Sequence, residues 1–87
     1  MKSKLLTSRL ARVRKLSRAL LRHSRGSGFD SHFVTIRDRL ESALGSLTEL
    51  ARQPGVDHET LDAVLCARIG HLGIRDQIEA MAAHTAG

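Results

Sequence analysis

The most regular feature of the chain is a central stripe of apolar residues, separated by alternating steps of four and three positions. This spacing places the side chains on one side of an α-helix, because a strand would repeat every second residue. We therefore predict a central helix over about residues 30–52, which Asp30 caps at its N-terminus and Pro54 prevents from extending further. The central stripe consists of Phe29, Phe33, Ile36, Leu40, Ala43, Leu47 and Leu50.

A second stripe with a similar period follows the Pro54–Gly55 turn and predicts a C-terminal helix over about residues 58–82. Asp57 is placed to cap the start of this helix. Because the connection is short, we expect the central and C-terminal helices to form an antiparallel hairpin in which the two stripes face each other. The second stripe consists of Val64, Ala67, His71, Ile74, Ile78 and Met81.

The C-terminal helix carries two more sets of residues beside its stripe. One set is apolar and predicts that the helix is covered on a wide side, either by the N-terminal helix or by a second subunit; it consists of Leu61, Leu65, Ile69 and Leu72. The other set is small and predicts a close approach of another helix; it consists of Ala63, Cys66, Gly70 and Gly73. Each glycine costs a helix interior ~1 kcal/mol relative to alanine, so the pattern leaves open whether the helix is continuous.

The N-terminal segment predicts an amphipathic helix over about residues 3–23, with leucines and a valine at helical spacing. A Gly/Ser-rich joint, residues 24–28, follows it. The predicted fold is therefore all-α, with the hairpin and the N-terminal helix forming either a three-helix bundle or a helical dimer. In terms of domains, residues 1–28 form a basic helix with its joint, and residues 29–87 form the hairpin core.

The chain has 87 residues and one cysteine, Cys66. This length supports one domain with a small core, and a single cysteine excludes a disulfide within the chain. We therefore expect self-association, with a homodimer as the simplest form, and a reducing, cytoplasmic compartment. No apolar run reaches the ~20 residues that a transmembrane helix needs.

Charge is distributed unevenly along the chain. Residues 1–29 contain nine lysines and arginines and no acid, whereas residues 30–87 contain five arginines and nine acids. A basic helix on a mildly acidic body predicts an anionic partner, which is a nucleic acid, a membrane surface or an acidic protein surface. The residues predicted to bind it are Lys4, Arg9, Arg12, Arg14, Lys15, Arg18, Arg22 and Arg25.

Catalysis has no support in the chain, which contains no phosphate-binding loop and no recognisable nucleophile–base motif. No cofactor is expected. No metal site is expected either, because no two of the five histidines are spaced to lie on one face of a helix. We interpret His71 as a neutral histidine within the apolar stripe and Cys66 as a small buried group.

Two short resemblances bear on function. Residues 72–78 resemble the turn and the start of the recognition helix in a helix-turn-helix motif, which implies DNA binding. The hairpin around residues 52–57 is similar in plan to the small helical hairpins of type III secretion needle subunits and their co-chaperones. That resemblance implies a structural or export component.

Three functions follow as expectations. The first is a protein–protein interaction, adaptor or regulatory module that self-associates and docks an acidic partner through its basic helix. The first alternative is a nucleic-acid-binding protein that uses the same helix and dimerises through the hairpin. The second alternative is the structural or export component.

Overall fold

The computed structural model describes residues 4–86 and contains three α-helices. Helix α1 spans Lys4–Gly26, α2 spans Ser31–Ala51 and α3 spans His58–Ala86. The helices form an elongated bundle of 48 × 19 × 16 Å, and the described part of the chain has no strand. The predicted all-α fold of three helices is confirmed.

Helix α1 extends beyond the end predicted near residue 23 and reaches Gly26. The backbone N–H groups of Ser27 and Gly28 both donate to the carbonyl of His23, at 2.7 and 3.2 Å. Gly28 has a φ of 80°, a left-handed conformation that glycine adopts without steric strain. The chain therefore leaves α1 through a hydrogen-bonded C-terminal cap and turns back towards α2.

Aspartates cap the starts of both α2 and α3, as predicted. The Asp30 carboxylate accepts a hydrogen bond from the N–H of Phe33 at 3.0 Å, and the Asp57 carboxylate accepts one from the N–H of Thr60 at 3.2 Å. These bonds satisfy N–H groups that have no partner inside the helix. Between α2 and α3, Gly55 adopts a φ of 72° and allows the tight turn after Pro54.

Helix α3 is continuous from His58 to Ala86 and passes through Gly70 and Gly73 without a break. This resolves the question that the two glycines left open. It also shows that residues 72–78 lie inside a helix and not at a turn between two helices. The interpretation of that segment as part of a helix-turn-helix motif is therefore wrong.

One hydrophobic core joins all three helices, and the most extensive helix–helix contact is between α1 and α2. In α1, Leu6, Val13 and Leu20 are buried, because they recur on one side of the helix and face the bundle. The Arg9 side chain donates a hydrogen bond to the backbone carbonyl of Ser46. This bond places the first half of α1 beside the second half of α2, so the two helices are antiparallel and α1 is part of the bundle.

The two predicted stripes lie largely in the interior. The buried members are Phe33, Leu40, Ala43, Leu47, Val64 and Ile78. Half-buried members that pack against them are Ile36, Leu50, Ala67, Ile74 and Met81. Phe29 differs, because it lies just before α2 at the end of the bundle, where the residue is 38% exposed and its ring meets the ring of Phe33 edge-on.

The outer side of α3 departs from expectation. Leu65, Ile69 and Leu72 are 54%, 68% and 53% exposed, so the cover predicted for this side is missing within one chain. Cys66 is exposed and not buried, and a Cβ added at either α3 glycine would meet no atom within 4 Å. Helices α1 and α2 cover the side of α3 around Val64 and Ile78. Where α1 faces the small residues Ala63, Cys66 and Gly70, a groove of ≈ 370 Å³ lies between the two helices instead of a close contact.

Candidate functional site

The outward side of α1 carries the cations that the sequence singled out. Seven of the eight are exposed, whereas Arg9 is half-buried and bonded to α2. We call the exposed set the basic face; it consists of Lys4, Arg12, Arg14, Lys15, Arg18, Arg22 and Arg25. Because the other side of the same helix is buried in the core, these charges are held along one rigid rod.

No carboxylate neutralises the basic face among the residues that the structure describes. Helix α1 contains no acid, and the ion pairs in residues 4–86 all involve other residues. Four cations of the basic face surround a shallow depression that α1 alone lines. Its lining residues are Ala11, Arg14, Lys15, Arg18, Ala19 and Arg22. The short alanine side chains leave room for a ligand atom to approach between the cations.

The turn between α1 and α2 holds a hydrogen-bonded cluster of side chains that the sequence analysis missed. The Nε2 atom of His23 lies 2.7 Å from Oδ1 of Asp30, the same oxygen that caps α2 by accepting from Phe33. The N–H of Phe33 and, next, the hydrogen bond to His23 hold the pKa of Asp30 below its usual value. The His32 ring lies 4.9 Å from the His23 ring, centroid to centroid. Spacing within a single helix cannot reveal this cluster, because its residues come from two helices and the turn between them.

His71 occupies the interior stripe of α3 and faces a surface groove of ≈ 420 Å³ between α2 and α3. Its Nδ1 atom is buried and has no hydrogen-bond partner in the described residues. Burial lowers the pKa of His71, nearby Arg75 lowers it further, and Glu41 on α2 opposes both. This histidine therefore favours the neutral form, in keeping with the interpretation made from its position in the stripe.

Other chemistry is not assembled in the described part of the chain. Residues 4–86 contain no group of three or more histidine, cysteine, aspartate or glutamate side chains placed to hold a metal ion. No helix among them is both long and apolar enough to cross a membrane. That the chain has no catalytic activity and no cofactor stays a prediction.

No family model, curated protein or solved structure matches this chain. Two surfaces of the bundle stand out from an ordinary helical surface. One is the basic face of α1, and the other is the exposed apolar side of α3.

Proposed function

We propose that the protein is a small, self-associating helical interaction module whose basic face docks an acidic protein partner. One observation supports this most: seven exposed cations lie on a helix whose other side is buried, and none of them pairs with a carboxylate among residues 4–86. Single exposed cations are common on protein surfaces. Eight cations and no acid in one helix instead produce a positive potential that nothing in that helix cancels.

The chemistry of the basic face suits carboxylates. Most of its members are arginines, whose planar guanidinium groups bind a carboxylate through two parallel hydrogen bonds. The backbone that carries them is already ordered, so docking costs less conformational entropy than it would for a free arm. Each exposed pair contributes little by itself, so the binding depends on several pairs together and weakens as salt rises.

Nucleic-acid binding is the second candidate, and the regular spacing of four arginines favours it. Arg14, Arg18, Arg22 and Arg25 follow one another at steps of four, four and three residues, which spans ~17 Å at the helical rise per residue. One strand of a DNA duplex presents a phosphate about every 3.4 Å along the helix axis. Helix α1 contains no phenylalanine, tyrosine or tryptophan that would stack on bases, so such binding would follow the phosphates without reading the sequence.

The test measures binding of a labelled polyglutamate peptide and of a labelled random-sequence DNA duplex by fluorescence anisotropy, over a series of salt concentrations. One variant, Arg18→Gln with Arg22→Gln, removes two charges from the basic face. The matched control, Arg39→Gln with Arg52→Gln, removes the same charge from exposed positions outside α1. Glutamine replaces arginine with little change in helix propensity.

We expect the peptide to bind at low salt and the Arg18/Arg22 variant to bind it about fivefold more weakly, with the control unchanged. Equal weakening in both variants would mean that net charge and not the basic face attracts the peptide, which would contradict the proposal. Preferential binding of the duplex would instead support the second candidate. In that case the salt slope of duplex binding should fall by about 2 in the Arg18/Arg22 variant, because each lost phosphate contact removes ~0.9.

A further inference from the structure

A groove of ≈ 370 Å³ runs along the bundle where α1 and α3 meet. We call it the α1–α3 groove. Helix α1 packs less extensively against α3 than against α2, so this junction is the more open side of α1. The lining extends over residues 10–18 of α1 and residues 63–74 of α3. These stretches are ~12 and ~17 Å long at the helical rise per residue, so the groove is about two to three helical turns in length.

The floor of the groove is mostly apolar and is left without a cover by the chain itself. It consists of Leu10, Val13, Ser17, Ala67, His71 and Ile74, which are all buried or half-buried. The apolar face of an amphipathic helix fits a groove of this kind, with side chains at steps of three and four residues as its anchors. The length of the groove matches such a helix better than it matches a compact small molecule.

The wall that α3 contributes is made of small residues. It consists of Ala63, Cys66 and Gly70, and a Cβ added at Gly70 would meet no atom within 4 Å. The distance between two packed helices depends on the side chains at their contact, and small residues allow a close approach. Helix α1 of the same chain does not use this room, because the groove lies between it and the small residues. A further helix could therefore approach α3 closely at this wall.

The opposite wall, on α1, is positively charged. Arg14 and Arg18 line it, are exposed and lie one turn apart, and both belong to the basic face. No aspartate or glutamate of the described residues lines this groove, whereas Glu41 and Glu79 line the groove between α2 and α3. An apolar floor beside an unneutralised cationic wall is complementary to an apolar surface with acids along one edge.

From the floor and the two walls we infer that the acidic partner docks an amphipathic helix into the α1–α3 groove, as a fourth helix of the bundle. Its apolar face covers the floor, and acids at four-residue spacing along its edge reach Arg14 and Arg18. This inference rests on the proposed function and adds the form of the partner. An extended acidic segment could neutralise the same cations, but it would leave the apolar floor in water.

The test compares two labelled peptides of ~18 residues by fluorescence anisotropy, a length of ~27 Å as a helix. In the first peptide, leucines recur on one face of a helix and glutamates lie beside them at four-residue spacing. The second has the same composition in a shuffled order with no apolar face. We expect the first to bind at least about tenfold more tightly, because it alone buries leucines in the groove.

The outcomes separate this inference from the proposed function. Equal binding of the two peptides, or binding of polyglutamate alone, would overturn the inference and leave the proposed function standing. Absence of binding by all three peptides would overturn both.

A glycine pair locates the site. Gly70→Leu fills the groove, and Gly45→Leu is the matched control on α2, which contributes no residue to the lining. A Cβ meets no atom within 4 Å at either position, and leucine favours a helix more than glycine does. We expect Gly70→Leu to weaken the amphipathic peptide about tenfold and leave polyglutamate binding unchanged. An unchanged affinity for the amphipathic peptide in Gly70→Leu, or an equal loss in Gly45→Leu, would overturn the inference. Circular dichroism checks that both variants are folded.

An arginine pair tests the charged wall. Arg14→Gln with Arg18→Gln removes both charges that line the groove, and Arg22→Gln with Arg25→Gln removes two charges of the basic face outside it. The first variant should bind the amphipathic peptide more weakly than the second. Equal weakening in the two variants would contradict docking in the groove.

The wild-type chain offers a readout that needs no substitution. Cys66 is the one cysteine of the chain, and its exposed side chain lines the groove. A saturating amount of the amphipathic peptide should slow the reaction of this thiol with a maleimide, and the shuffled peptide at the same concentration should not. An unchanged rate at saturation would overturn the inference.

Discussion

Truncation of Leu40 to alanine tests the placement of the core. Leu40 is 0% exposed and lies in the middle of α2, the helix that contacts both of its neighbours within the shared core. Its truncation removes buried methyl groups and leaves a cavity where the helices meet, which costs ~3 kcal/mol. A domain of this length has a total stability of ~4–13 kcal/mol. Leu40→Ala should therefore remove a quarter or more of the stability.

In thermal terms, ~3 kcal/mol corresponds to a fall in Tm of ~12–24 °C for a domain of this size. The assay is thermal and urea denaturation followed by far-UV circular dichroism, at a concentration where the chain is monomeric. Leu5→Ala is the matched control, because it deletes the same atoms from a side chain of α1 that is 49% exposed. The control should change stability by less than ~0.5 kcal/mol. Equal losses in the two variants would refute the view that Leu40 lies in the core.

Three further substitutions test a histidine and two glycines. The folded chain lowers the pKa of His71 below its ordinary value of 6.5. As pH falls, the His71 side chain is therefore protonated first in the unfolded chain, and this favours unfolding. The stability that neutral His71 contributes is complete above about pH 6.5 and declines below it. His71→Gln should therefore reduce the fall in stability between about pH 8 and pH 5. Urea denaturation at several pH values measures this fall, and an equal fall in wild type and variant would contradict this account. Gly45→Ala in α2, where a Cβ meets no atom within 4 Å, should raise stability by ~0.5–1 kcal/mol. Gly55→Ala should lower the stability by ~1 kcal/mol, because alanine is strained at a φ of 72°. Thermal denaturation of the two glycine variants measures whether each gains or loses stability. A loss in Gly45→Ala together with a gain in Gly55→Ala would argue against the turn geometry.

Local signals accounted for much of the fold. The aspartate caps at Asp30 and Asp57 and the turn at Gly55 were predictable, because a cap or a tight turn depends on residues within a few positions of one another. The helical stripes were predictable for the same reason, since their period alone decides which residues share a face. Glycine in a helix was harder to judge, because its cost is small enough for packing elsewhere to outweigh it, as happens at Gly70.

Contacts between helices were the part that local signals could not supply. The pairing of His23 with Asp30 depends on how α1 and α2 meet at their turn. The basic helix appeared in the sequence as an arm beside a hairpin, but its leucines share one core with α2 and α3. Periodicity identifies an apolar side without saying what covers it.

The sequence by itself determined that the fold is helical, which residues cap the second and third helices and that cations concentrate in α1, because all of these follow from composition and short-range spacing. Only the tertiary structure decided how much of α3 beyond its predicted stripe is covered. That helix offers several apolar or small-residue edges, and each would stabilise the bundle if it were covered. The packing of α1 and α2 covers the side around Val64 and Ile78 and leaves Leu65, Ile69 and Leu72 in solvent, because two helices cannot surround a third.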